Sequence, residues 1–148
     1  MKNISALIIL IAALAYMGCT ETESEKVTLP TTAVTGEYIV ELNLPDLDIT
    51  DHQHIRVYNT SFSKDSLWVE DHDFFETLVR VKFDGNNKFS VTNGVDVLSG
   101  INVNVTGEIY PEKDSIHVEW TYLDIDIGLG EDDYLVTANG SLYNGLTN

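Results

Sequence analysis

At 148 residues, with 24 acidic side chains against 8 lysines and arginines, the chain carries a net charge of −16. That balance argues against nucleic acid or an anionic membrane as a partner gripped through a basic patch. The single cysteine excludes an internal disulfide, so a domain of this length must be held together by its core.

Met1 and Lys2 give a short positive start, and Ile4 to Ala15 is an apolar run. That order suits a signal peptide, and the run is too short to span a bilayer. It ends in Tyr16-Met17-Gly18-Cys19-Thr20. A small residue directly before the cysteine resembles a bacterial lipobox, with Tyr16 and Met17 in place of the usual Leu and small residue. The expectation is a lipoprotein signal peptide over residues 1–18 and acylation of Cys19 as the mature N-terminus. The alternative is an ordinary secretory signal with an incidental cysteine. Residues 19–33 are polar, acidic and Thr-rich and read as a flexible tether, of reach at most ~50 Å when extended. Residues 34–148 then form one domain.

From Val34 onward the hydrophobic period is two, and no segment carries a helical period. Tyr38, Val40 and Leu42 share one face. Leu44 to Asp51 reads as a loop. Ile55, Val57 and Asn59 share the next inner face, opposite Arg56 and Tyr58. Leu67-Trp68-Val69 is apolar on both faces. Thr77, Val79, Val81 and Phe83 alternate against Leu78, Arg80, Lys82 and Asp84.

Asp84-Gly85-Asn86-Asn87 predicts a hairpin turn, and Asn93-Gly94 a second after Phe89 and Val91. Val95 and Val97 form a short run. Ile101, Val103, Val105, Gly107 and Ile109 then alternate with polar residues, one face in the core and one in water. Ile116, Val118, Trp120 and Tyr122 face inward until the phase flips at Leu123, as a bulge or barrel corner would make it. Gly128 to Asp133 reads as a loop and Tyr134 to Tyr143 as the last strand. The predicted class is all-β, about eight antiparallel strands in an up-and-down barrel. Closure removes exposed edges, and a barrel of this size either fills with side chains or holds one small ligand.

Tyr58-Asn59-Thr60, Asp65-Ser66-Leu67-Trp68-Val69-Glu70-Asp71, Phe74-Phe75 and Val79-Arg80-Val81-Lys82 together resemble the family called lipid-binding putative hydrolases. The likeness extends to Trp120 and the closing Gly-containing strand. It implies a small secreted lipoprotein of Bacteroidota with a calycin-like, lipocalin-related β-barrel, and a lipid-binding or hydrolytic role. The acidic residues after Cys19 also resemble surface-export signals of such lipoproteins. Gly36-Glu37-Tyr38 stands where calycins usually carry Gly-x-Trp, and the last strand lacks the Arg that often covers that Trp. The resemblance supplies no catalytic motif.

Nucleophilic catalysis finds no G-x-S-x-G turn and no spare cysteine. His52 and His54 share the outward phase of Arg56 and Tyr58, His117 that of Glu119, and His72 falls in a turn. His52-x-His54 is the one pairing with the spacing of a zinc site, with Asp46, Asp48 and Asp51 upstream. Asp71, Asp73 and Glu76, or Glu131, Asp132 and Asp133, offer oxygens for calcium. Solvated acidic loops are the simpler reading of all of these, and no cofactor is called for. Tyr38, Phe83, Phe89, Trp120 and Tyr122 are the candidate lining of a ligand lumen, or else the filling of a core. Tyr58 and Trp68 are candidates for an outer contact surface.

The expected function is non-catalytic binding of a small hydrophobic or amphipathic, lipid-like ligand by a barrel tied to a bacterial outer membrane, facing either periplasm or exterior. Its membrane contact is the N-terminal lipid anchor alone. The alternatives are a filled-barrel scaffold module with envelope protein partners, as in a glycan-uptake complex, and a hydrolase of an ester or lipid.

Overall fold

Strict alternation of apolar and polar residues makes each strand two-faced, and eight such strands in sequence order hide their apolar faces by closing on themselves. The computed structural model describes residues 29–72, 74–128 and 130–145. Its strands are β1 (Gly36–Leu44), β2 (Ile49–Asn59), β3 (Ser66–Asp71), β4 (Leu78–Phe83), β5 (Lys88–Val95), β6 (Asn102–Tyr110), β7 (Ser115–Asp126) and β8 (Glu131–Leu142). Each pairs with its successor, all antiparallel, and β8 closes on β1 from Tyr38↔Leu142 to Asn43↔Thr137. The all-β, eight-stranded up-and-down barrel expected from the sequence is the observed one.

The two ends differ. The turns β1–β2, β3–β4, β5–β6 and β7–β8 form an upper end. The turns β2–β3, β4–β5 and β6–β7 lie at the lower end with the start of β1 and the end of β8. The inward residues form one apolar cluster running from Val34 to Ala138, each nearly inaccessible. At the lower end a 3-10 helix over Pro30–Val34 enters the fold. Its Val34 joins the core, and the buried Thr31 hydroxyl donates to the Asn59 carboxamide at the end of β2. Residues 30–33, expected to be tether, thus lie within this helix, with Thr31 packed on the barrel. The signal peptide, Cys19 and the tether as far as residue 28 lie outside the described residues. Among the described residues no helix is long and apolar enough to cross a membrane.

Four local expectations change. The segment 44–51 is not an open loop: a short 3-10 turn at Pro45–Leu47 ends on Asp48 in the left-handed region, and β2 starts at once. Asn93-Gly94 is not a hairpin turn but a bulge inside β5, where the register shifts between Val91 and Gly94. The turn comes later, over Asp96–Gly100, so Val95 and Val97 are exposed instead of forming their own strand. Finally, β8 begins at Glu131, inside the expected 128–133 loop. The phase flip after Tyr122 is a bulge as expected, with Asp124 at φ 52° and the register shifting between Tyr122 and Ile125.

Candidate functional site

The upper mouth of the barrel is built around Tyr122. Its position on β7 points inward, and burial pushes its phenol well above the usual tyrosine range, so it stays neutral. Two polar neighbours satisfy it there. Trp120 Nε1 donates to Tyr122 Oη at 2.7 Å, and Tyr122 Oη shares a hydrogen bond of 2.5 Å with Thr77 Oγ1. All three side chains are buried, so the chain of bonds lets an indole N–H and two hydroxyls sit inside an apolar barrel.

The β3–β4 loop covers this network. Asp71, buried at the end of β3, accepts from the backbone N–H groups of Phe74 and Phe75 at 3.2 and 3.0 Å. Held so, the Phe75 ring packs at a tilt of 49° against Tyr122 with centroids 4.4 Å apart, and Phe74 meets Phe75 edge-on at 4.5 Å. Both phenylalanines are half-buried. Leu47 and Ile101, also half-buried, come from the β1–β2 and β5–β6 connections of this end, and the half-buried Ile125 from the upper end of β7. The mouth is thus closed by an apolar ring with an aromatic stopper. Gln53 also faces inward, one residue pair below the start of the mouth. Its amide nitrogen donates to Asp51 at 3.0 Å, while its carbonyl oxygen is buried with no partner.

The five lumen candidates are all buried but do not form one site. Trp120 and Tyr122 belong to the upper half. Tyr38, Phe83 and Phe89 fall in the lower half, where Phe83 and Phe89 are register partners. The lower half is filled. The Phe89 ring lies over its partner Gly107 so closely that a Cβ there would stand 2.2 Å from it. Tyr38 is buried, and burial, then the nearby Asp114 charge, raises its phenol pKa.

On the outer wall, Tyr58, Trp68 and Arg80 are neighbours in one row across β2, β3 and β4. This joins the two surface candidates and adds a cation beside them. Burial, and then the Glu70 carboxylate, raises the Tyr58 pKa.

The histidines sit on the outside, and three of them make surface pairs. His54 lies 3.0 Å from Glu37, which Arg56 also approaches at 3.4 Å; His72 meets Glu70 and His117 meets Glu119 and Asn139. The bond from His54, followed by the attraction of Arg56, holds the Glu37 carboxyl below its ordinary range. Among the described residues no hydroxyl bonds an imidazole, and no group of three or more metal-ligating side chains gathers, at His52 and His54 or elsewhere.

Phe74, Phe75, Thr77, Gln53 and Arg80 escaped the sequence reading as site residues. The signal that could have found the first two is an aromatic pair in a break between strands, where polar turn residues are normal. A family model described as "Lipid-binding putative hydrolase" matches residues 23–126. No curated protein and no solved structure matches the chain.

Proposed function

We infer, from the premise that this chain belongs to the lipid-binding putative hydrolase family, that it is a non-catalytic carrier of a small hydrophobic or amphipathic molecule. Family and barrel fold together support lipid binding. The observation that carries the finer reading is the aromatic stopper on Tyr122. Phe74 and Phe75 are apolar, only half-buried, and carried by a loop rather than a strand. An apolar chain that displaced them would inherit their contacts over Trp120 and Tyr122, at little cost in exposed surface. The orphan Gln53 carbonyl would accept a hydrogen bond from a hydroxyl or amide head group at the same end. The outward pairing of the imidazoles with carboxylates and an amide favours binding over hydrolysis.

In this reading Cys19 carries the lipid anchor, residues 1–18 are removed, and the domain stands off a bacterial outer membrane. An anchor on Cys19 would join the domain through the lower end, where the 3-10 helix over Pro30–Val34 enters the fold, opposite the upper mouth. Replacing Cys19 with Ala is expected to release the protein from membranes; retention of the variant in the membrane fraction would refute the anchor.

Native mass spectrometry of the gently purified mature chain tests the carrier. An adduct of lipid-like mass that disappears on organic extraction is expected. Phe75→Ala should speed loss and uptake of that adduct by widening the mouth. A bare mass from native cells, with no uptake of added lipid by either form, would refute the reading.

A further inference from the structure

Beyond the mouth, the outer wall has a break between β4 and β5. Their ladder holds only Lys82↔Ser90 and Phe83↔Phe89. Above it the bulge at Val91–Gly94 takes β5 out of register with its neighbours. The strands are joined again at the top, where Leu78 N–H donates to Asp96 at 2.8 Å and Val97 N–H to the Leu78 carbonyl at 2.9 Å. Between these joints runs a groove formed by two cavities that share Arg80 and Val91. The upper, about 430 Å³, has Trp68, Val95 and Val97 in its wall; the lower, about 590 Å³, has Phe62 and Lys82.

Arg80 stands over this groove. Its guanidinium carbon lies 3.9 Å from the centroid of the Phe62 ring, and Phe62 is itself 70 % exposed. In a chain of 24 acids and 8 bases, an arginine is expected to attract a carboxylate. Arg80 forms no ion pair with any described residue, and neither do Lys82, two residues further on the same strand, or Lys64 in the β2–β3 loop. One carboxylate, Asp65, lines the lower cavity; its Ser63 hydrogen bond, with Lys82 and Lys64 nearby, lowers its pKa. The net charge of the whole chain therefore conceals a cationic strip flanked by exposed aromatic and aliphatic side chains.

We propose that this groove binds a free, single-chain anionic amphiphile of the long-chain carboxylate kind, with Arg80 as the anion anchor. The proposal rests on the lipid-binding reading but names a site separate from the mouth. The planar guanidinium offers paired N–H donors that match a carboxylate, and its contact with the Phe62 ring does not use those donors. The chain of the amphiphile would lie along Trp68, Val91, Val95 and Val97. The cavity volumes are of the size of small-ligand sites.

Trp68 and Trp120 are the two tryptophans of the chain, one at the groove and one in the lumen. Their fluorescence in the full-length mature protein therefore reports which site is filled. With 9,10-dibromostearate as a quenching ligand, we expect quenching of Trp68, read alone in Trp120→Phe. Arg80→Gln should weaken dibromostearate binding at Trp68 at least about tenfold and leave binding of the brominated alcohol unchanged. Should Trp120→Phe fail to fold, the wild type must be quenched more than Trp68→Phe, and Arg80→Gln must remove that excess. Quenching of Trp120 in Trp68→Phe with none at Trp68 would overturn the groove while leaving the carrier intact. Absence of quenching at both tryptophans would overturn both. A response of Trp68 only to brominated phosphatidylglycerol vesicles, and not to the monomeric carboxylate, would make the groove a bilayer contact and also overturn the proposal.

Discussion

Tyr122 decides how tightly the upper mouth is built, because three different interactions end on it. Replacing its hydroxyl by hydrogen, in Tyr122→Phe, keeps the ring under Phe75 but leaves Trp120 Nε1 without its acceptor and Thr77 without its partner, both buried. Such orphaned groups cost about 1–3 kcal/mol, so the urea midpoint should fall with the slope unchanged. An unchanged midpoint would mean that water already serves these groups. Gly140 is a sharper case of the same dependence on one atom. A Cβ there would lie 2.0 Å from the Ile39 carbonyl oxygen and 2.6 Å from Val40 Cα. Both are backbone of the paired β1 strand and cannot rotate aside. Gly140→Ala is therefore expected to cost about 2 kcal/mol or more, or to open the β1–β8 closure; a calorimetric scan distinguishes it from a tolerant site.

The β5–β6 turn shows what a strand pattern reveals and what it hides. Asp96 is buried and accepts from the N–H groups of Leu78, Leu98 and Ser99 at 2.8, 3.1 and 3.1 Å, and from the Ser99 hydroxyl. It ties its own turn to β4 above the groove. Asp96→Ala would strand these donors and should destabilise by about 2–4 kcal/mol, with hydrogen exchange rising first at Leu78 and the 96–100 turn. Uniform exchange loss across the barrel would contradict that local role. None of this was legible beforehand, since Asp96 looks like any polar turn residue until its partner strand is known. Asn93-Gly94 misled for a related reason. Asn93 does take the left-handed conformation, at φ 51°, that makes Asn-Gly a turn signal. Here it serves a bulge, because Gly94 packs where a Cβ would meet Val91 and Val79 at 2.8–3.0 Å. By contrast, the inward faces of β4, β6 and β7 were legible in full, since a period of two needs no partner to be read. The same pattern marked Trp120 and Tyr122 as interior. It could not show that Phe89 fills the space over Gly107, or that Arg80 rests on Phe62, because both depend on contacts between distant segments.

Charge is distributed over the molecule as unevenly as the sequence total is extreme. Asp46, Asp48 and Asp51 at the β1–β2 turn face Asp124, Asp126, Glu131, Asp132 and Asp133 at the β7–β8 turn, on adjacent strands of the same upper end. Arg80, Lys82 and Lys64 lie across the barrel on β4 and the β2–β3 loop. Exposed like charges this close repel within a screening length of about 10 Å at 0.1 M salt. The folded state holds them nearer together than the unfolded chain does, so raising salt from about 10 mM to about 0.3 M should stabilise by about 1 kcal/mol, roughly 4 °C in Tm. The pH response should include the loss of the Glu37 pairs. The bond from His54, and then the attraction of Arg56, hold the Glu37 carboxyl below the ordinary glutamate range, so its contribution is present above the unfolded value and is lost as pH falls through the lower folded value. Thermal melts across pH 3–8 at two salt concentrations would show that fall on the acid side, and Glu37→Gln should soften it. A stability that decreased with added salt at pH 7 would mean that attractive pairs such as Lys88–Glu108 and Arg56–Glu37 outweigh the acidic crowding.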